Sequence, residues 1–245
     1  MTDPVVQHPH DMPEAILQRA IAASDRPDIL RQLVAISRET FGYYANHYGH
    51  TINHVWAAER LSFLAPGARV LDIGAGLSPL PIWLASRGLQ VDCVDGSPMV
   101  RTSPAAPDWL DWDEWGFFNY AALGPNLSAH HCEIGAFNPL NTYDAIYSMG
   151  SLAAMHSADW QWALASSRTW LNPGGILLLA IGLLRGTYSM WNFGYGVEIE
   201  PVATHGKVCD IERHLVKSGF SVRELRLLRN VPNPRTDLLF IESAA

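Results

Sequence analysis

The sequence is poor in cysteine, in charge and in basic clusters. Its three cysteines, Cys93, Cys132 and Cys209, form no CxxC pair and no even framework. That argues against a disulfide scaffold and fits a reducing, cytoplasmic setting. Charged residues make up 17% of the 245, the net charge is −7, and Lys and Arg nowhere gather into a run. A nucleic-acid substrate, whose phosphates require clustered cations, is therefore disfavoured, and so is an anionic membrane surface. No apolar stretch approaches the ~20 residues of a membrane span. The longest, 176–184, is broken by Gly182, and the N-terminal segment with His8, His10 and Asp11 has no apolar signal core. A soluble protein is expected. Metal patterns are missing as well. His47, His50 and His54 lie close together with Glu59 beyond, but not in HExxH order and with no Cys or Asp to complete a set, so no metal is expected.

What is present is a core: 48% of the residues are apolar, enough for one α/β domain with a cap. Residues 1–12 read as a loose arm and 13–66 as a helical cap. In the cap, Pro13 and Pro27 sit at first helical positions. Helices are predicted over 13–23, 28–48 and 52–64. From residue 67 the pattern becomes strand, helix, strand. Strands are predicted over 69–73, 90–94, 128–132, 145–148 and 176–181, with helices over 79–87 and 160–170. Such alternation implies a doubly wound parallel sheet. A last helix over 207–218 precedes strands over 220–228 and 236–241, whose short connection favours an antiparallel hairpin. Two insertions, 97–127 and 184–206, exceed a minimal fold and supply material for a lid.

The densest signal is Val70-Leu71-Asp72-Ile73-Gly74-Ala75-Gly76, a buried strand running into a glycine turn. The next strand ends at Asp95, 19 residues after Gly76. Glycines that admit a ligand to the backbone, followed about 20 residues on by an acid for ribose hydroxyls, mark a nucleoside-binding βαβ unit. The turn has only two glycines where the phosphate-binding pattern has three, and no basic residue lies between Asp72 and Ser86. A nucleoside without phosphate fits better than a dinucleotide.

These residues resemble the class I S-adenosylmethionine-dependent methyltransferases. The likeness rests on Asp72-Ile73-Gly74-Ala75-Gly76, on Asp95, on Tyr143-Asp144-Ala145-Ile146-Tyr147-Ser148-Met149 and on Leu171-Asn172-Pro173-Gly174-Gly175. It implies a Rossmann-like, doubly wound α/β fold with a seven-stranded sheet, the last strand antiparallel, and S-adenosyl-L-methionine as cofactor. The cap would then form an N-terminal helical lid.

The resemblance also implies a pocket. Asp72 would face the cofactor's amino-acid group, and Gly74, Ala75 and Gly76 would line its backbone. Asp95 would accept two ribose hydroxyls through its two oxygens. Gly96, Ser97 and Met99 would border the adenine, with Glu133 and Ile134 in the third motif, Glu133 taking the adenine amino group. Ser148 and Met149 would lie under the sulfonium. The position that often holds a His falls at Ala154, with His156 displaced by two. In the cap, Tyr44 and Tyr48, and likewise Tyr43 and His47, stand four apart and would share a helix face. An aromatic pair there would cover the cationic sulfonium.

The function expected is methyl transfer to a small-molecule acceptor, in line with the sulfonium and under an aromatic lid. A base is required only for a hydroxyl or a protonated amine; His47, Tyr43 and His50 are the candidates. Two alternatives stay open. In one, the cofactor's own amine attacks the γ-carbon and displaces methylthioadenosine, forming a four-membered ring. In the other, the fold serves as a non-catalytic binding module. The acidic, aromatic stretch 109–118 and the glycine-spaced aromatics Tyr188, Trp191, Phe193 and Tyr195 read as packed or lid-forming segments.

Overall fold

Strands buried on both faces need helices on both sides. Residues 70–73 are all buried, as are Val91, Cys93 and Val94. The computed structural model describes residues 11–44, 48–97, 100–101, 117–152, 157–184, 208–229 and 236–245. Along the chain run α1 (Glu14–Ala23), α2 (Pro27–Phe41), α3 (Tyr48–Leu61), β1 (Arg69–Ile73), α4 (Leu80–Ser86) and β2 (Gln90–Asp95). They are followed by β3 (Val100–Arg101), β4 (Phe117–Phe118), β5 (Leu127–His131), β6 (Tyr143–Met149) and α5 (Ser157–Trp170). The chain then continues through β7 (Leu171–Leu184), α6 (Val208–Lys217), β8 (Ser221–Arg229) and β9 (Thr236–Ala244).

The main sheet has seven strands in the order β5-β2-β1-β6-β7-β9-β8. Pairings from β5 to β7 are parallel, while β9 runs antiparallel to both β7 and β8. This is the Rossmann-like arrangement expected, with the last strand antiparallel. One sheet face carries Val70, Cys93, Tyr147, Leu178 and Phe240 against α2, α3 and α4. The other carries Leu71, Ile73, Ile146, Leu177 and Ile241 against α5 and α6. No helix among the described residues is long and apolar enough to cross a membrane.

The third helix, expected over 52–64, runs from Tyr48 to Leu61, and the short strands β3 and β4 were not expected. Two further departures have a local cause. The second helix stops at Phe41 rather than continuing to Tyr48. Gly42 has φ +81° and closes the helix with its N–H on the Arg38 carbonyl (3.0 Å). Glycine reaches that left-handed conformation without steric cost, which makes it a helix stop. Tyr43 and Tyr44 therefore leave the helix, and Tyr44 does not share a helix face with Tyr48, which begins α3. The strand predicted over 176–181 starts at Leu171 and takes in the Pro-Gly-Gly turn as an irregularity in its pairing with β6.

The cap is joined to the sheet by charge as well as by apolar contact. Arg60 of α3 lies over the Trp56 ring (4.6 Å), and Trp56 stacks on Phe240 of β9 (4.7 Å). Its guanidinium pairs with Glu224 and lies 3.3 Å from Glu242. Those two acids are register partners on β8 and β9, so they share a face with the cation between them. Arg60→Ala leaves the two carboxylates opposed, with Arg223 3.8 Å from Glu242 as partial relief. The expected loss is about 2 kcal/mol, read as a lower urea midpoint whose deficit shrinks in high salt.

Candidate active site

In an open α/β sheet, ligands bind beyond the carboxyl ends of the strands, where the strand order reverses. Here that point lies between β1 and β6. β1 ends in Gly74-Ala75-Gly76-Leu77-Ser78, which leads into α4. The Gly74 and Ala75 N–H groups both donate to the Val94 carbonyl of β2 (2.7 and 3.3 Å). Gly74 has φ +78°, and a Cβ there would run into Ser151, whose Oγ donates to the Gly74 carbonyl (2.8 Å). Among the described residues, the close approach at Gly74 is thus made by the loop after β6. It ties the two sides of the switch point together.

Asp95 ends β2 and holds two loops at once. Its Oδ2 accepts the Gly76 N–H (2.8 Å) and its Oδ1 accepts the Ser97 N–H (2.7 Å). Each oxygen keeps a further lone pair for an outside donor. Burial raises its pKa, and the two backbone N–H bonds oppose that shift. Glu133, after β5, rests its carboxylate against Gly96, where a Cβ would come within 2.7–2.8 Å of it. It faces Asp95 closely enough to add to the upward shift. His131 donates from Nε2 to the Ser97 carbonyl (2.5 Å) and stacks on Phe117 (6.0 Å). Asp95, Gly96, Ser97 and Glu133 are therefore brought together, and His131 joins them. Ile134 is buried below, in the core of the opposite face.

Asp72 sits one residue before the end of β1 and is 2% exposed. Its register partners are Cys93 of β2 and Tyr147 of β6, so the three side chains share a face. Burial pushes the Asp72 carboxyl well above the usual range, towards its neutral form, and the Tyr147 hydroxyl opposes the shift. The two groups interact without closing a hydrogen bond of good geometry. Asp72 Oδ2 and the Tyr147 hydroxyl are both buried and without a partner among the described residues. Ser148, at the end of β6, accepts the Leu152 N–H through its hydroxyl (3.0 Å). Met149 is half-buried beside it.

Beneath the glycine turn lies a polar group that sequence patterns did not single out. Tyr120 is fully buried, and its hydroxyl accepts the Ser78 N–H (2.7 Å). It donates to the carbonyls of Gly76 (3.1 Å) and Ser78 (3.0 Å). Ser78 Oγ shares a hydrogen bond with Nε2 of buried His54 (3.3 Å) and accepts the Leu80 N–H (3.2 Å). Burial lowers the His54 pKa to about 4, so the ring is neutral at pH 7.

The cap residues are placed differently from the cofactor set. Tyr43 is 3% exposed within the core, and its carbonyl accepts from Ser37 Oγ (2.6 Å). Tyr44 is packed in a small separate cluster with Met12, Leu17, Ile21, Leu30 and Val34. Its N–H donates to Asp11 (2.9 Å). Tyr48 and His50 lie on the first turn of α3. His47, Met99, Ala154, His156 and most of the two insertions, including 102–116 and 185–207, lie outside the described residues.

The profile of the methyltransferase domain family matches residues 48–225. The chain belongs to that family. The enzyme shares its fold with the 1,6-didemethyltoxoflavin-N1-methyltransferase of Burkholderia thailandensis, solved with 1,6-didemethyltoxoflavin and S-adenosylhomocysteine. The TM-score is 0.56 at 16% identity, over 94% of this chain and 88% of that one. It likewise resembles the magnesium protoporphyrin IX methyltransferase of Synechocystis, solved with S-adenosylhomocysteine (TM-score 0.52, 14% identity, 94% of each chain). An S-adenosylmethionine-dependent methyltransferase of Mesorhizobium loti is also similar (TM-score 0.53, 16% identity, 78% of this chain and 98% of that one). No curated protein matches this methyltransferase in sequence.

The residues at its switch point fit S-adenosylmethionine. Asp95 offers two acceptor oxygens with spare lone pairs, and Asp72 Oδ2 is a buried polar atom awaiting a partner.

Proposed function

We propose that this methyltransferase transfers the methyl group of S-adenosylmethionine to a small-molecule acceptor. The observation that carries the reading is Asp95, fixed by the Gly76 and Ser97 N–H groups of the loops that follow β1 and β2. Its free lone pairs accept the vicinal ribose hydroxyls. Glu133 accepts the adenine amino group beside Gly96, with Ser97 and Met99 bordering the ring, while Ile134, buried in the core below, is assigned to packing. Gly74, Ala75 and Gly76 supply the backbone wall. Asp72 takes the ammonium, which favours ionisation of a carboxyl that burial otherwise holds neutral. Ser148 and Met149 form the floor at the end of β6.

The sulfonium, when bound, supplies the leaving group. The chain's own work is to hold the acceptor in line and to exclude water. Closure is assigned to the N-terminal helices and the two insertions. His50, and His47 just before α3, are the candidate bases for a hydroxyl or protonated amine. Tyr43 and Tyr44, whose side chains are packed in cores, are assigned to packing. The net charge of −7 without a basic run supports a small molecule over a nucleic acid. The fold-relatives named for didemethyltoxoflavin and magnesium protoporphyrin IX act on small molecules too. Free thiols at Cys93 and Cys132 suit a cytoplasmic setting.

The test is mass spectrometry of the purified enzyme with S-adenosylmethionine, alone and with small-molecule extract from its host. S-adenosylhomocysteine is expected only with extract, together with one component heavier by a CH₂. Methylthioadenosine from the cofactor alone, above a no-enzyme control, would overturn the reading in favour of cyclisation.

A further inference from the structure

We propose that Tyr120, acting with Ser78, is a positioning residue that holds the cofactor loop in its binding conformation from outside the loop. The inference rests on the cofactor reading above and adds residues to it. A glycine-rich turn is free to move unless its backbone groups are engaged. The turn ends at Ser78, whose N–H points at the Tyr120 hydroxyl while its own hydroxyl meets His54 of α3. The single Tyr120 proton is shared by the Gly76 and Ser78 carbonyls, so one oxygen fixes both ends of the segment 76–78. The Phe118 N–H adds a second bond to the Gly76 carbonyl (3.2 Å).

The hydroxyl is aimed because its ring cannot turn away. Tyr120 packs edge-on to Phe118 (5.4 Å), which packs edge-on to Phe41 at the end of α2 (5.3 Å). Phe117 closes the other side (6.1 Å). Burial also keeps the phenol protonated, so it remains a donor at any pH the fold survives. The Gly76 N–H that this geometry presents is the one Asp95 holds. Disturbing Tyr120 therefore moves the ribose acceptor's own anchor. Tyr120 is buried beneath the turn and acts through Gly76 and Ser78.

Calorimetric titration of the full chain with S-adenosylhomocysteine tests this, alongside thermal unfolding without ligand. Tyr120→Phe is expected to weaken binding about tenfold and to lower the unfolding temperature. Leu215→Ala, buried on the opposite sheet face, is expected to lower the unfolding temperature and leave the affinity unchanged. Should Tyr120→Phe fold poorly, Phe118→Leu replaces it: it keeps the hydroxyl but removes the edge-on ring that aims it, with an expected loss of about threefold. An unchanged affinity in the folded variant, whatever its unfolding temperature, would reduce Tyr120 to packing and overturn the proposal. Failure of the wild-type chain to bind would instead remove the cofactor reading, and this inference with it.

Discussion

Asp95→Ala is expected to weaken binding of S-adenosylhomocysteine by about a thousandfold, or about 4 kcal/mol. Two losses combine. The variant removes both acceptor oxygens meant for the ribose, each bond to a charged group being worth about 1.5–3 kcal/mol. It also releases the Gly76 and Ser97 N–H groups that Asp95 engages at 2.8 and 2.7 Å. Asp95→Asn retains one oxygen but sets an amide N–H against a backbone N–H, so an intermediate loss of about a hundredfold is expected. Titration calorimetry reads both. Tight binding by the alanine variant would sink the assignment of the ribose site.

Acid is expected to destabilise the protein through His54, by up to about 3 kcal/mol. Burial lowers this His from its ordinary 6.5 to about 4. Between those values the unfolded chain binds a proton that the folded chain refuses. Stability therefore falls as pH drops from about 6.5 towards about 4. Asp72 and Asp95 act in the opposite sense. Their raised folded values mean that protonation on acidification relieves a cost of burial. The His54 contribution is isolated by comparing wild type with His54→Gln, which keeps a polar group near Ser78 and cannot titrate. Urea unfolding at pH 7 and pH 5 should show a smaller acid loss in the variant. Equal losses would mean that His54 reaches solvent in the folded state.

The parts of the fold that were legible from sequence depend on local pattern. β1 and β2 are short buried runs bounded by glycine, and they fall at or within one residue of the predicted positions. The place of Asp95 beside the glycine turn was legible because its spacing from Gly76 is set within one βαβ unit. The end of α2 was not, since residues 41–48 carry helix-compatible aromatics and only the positive φ of Gly42 stops the helix. Tyr120 left no local signal at all. It stands 42 residues from Ser78 in sequence, and its hydrogen bonds exist only after the insertion folds back under the turn. His54 stood out as a member of a histidine group, whereas its partner is a serine 24 residues away. Long-range polar contacts of this kind carry no periodicity for a sequence to display.

The placement of β9 between β7 and β8 bears on how the chain leaves the ribosome. Synthesis delivers β7 and β8 before β9, yet β7 pairs with β9 along its length from Ile176 to Leu184. Until residues 236–244 emerge, the nascent chain presents the edge of β7, whose residues from Ile176 to Ile181 are all apolar and buried in the finished protein. An open edge of that kind is a template for pairing with another chain. Shielding by a chaperone, or by the ribosome itself, is needed for longest where this strand waits.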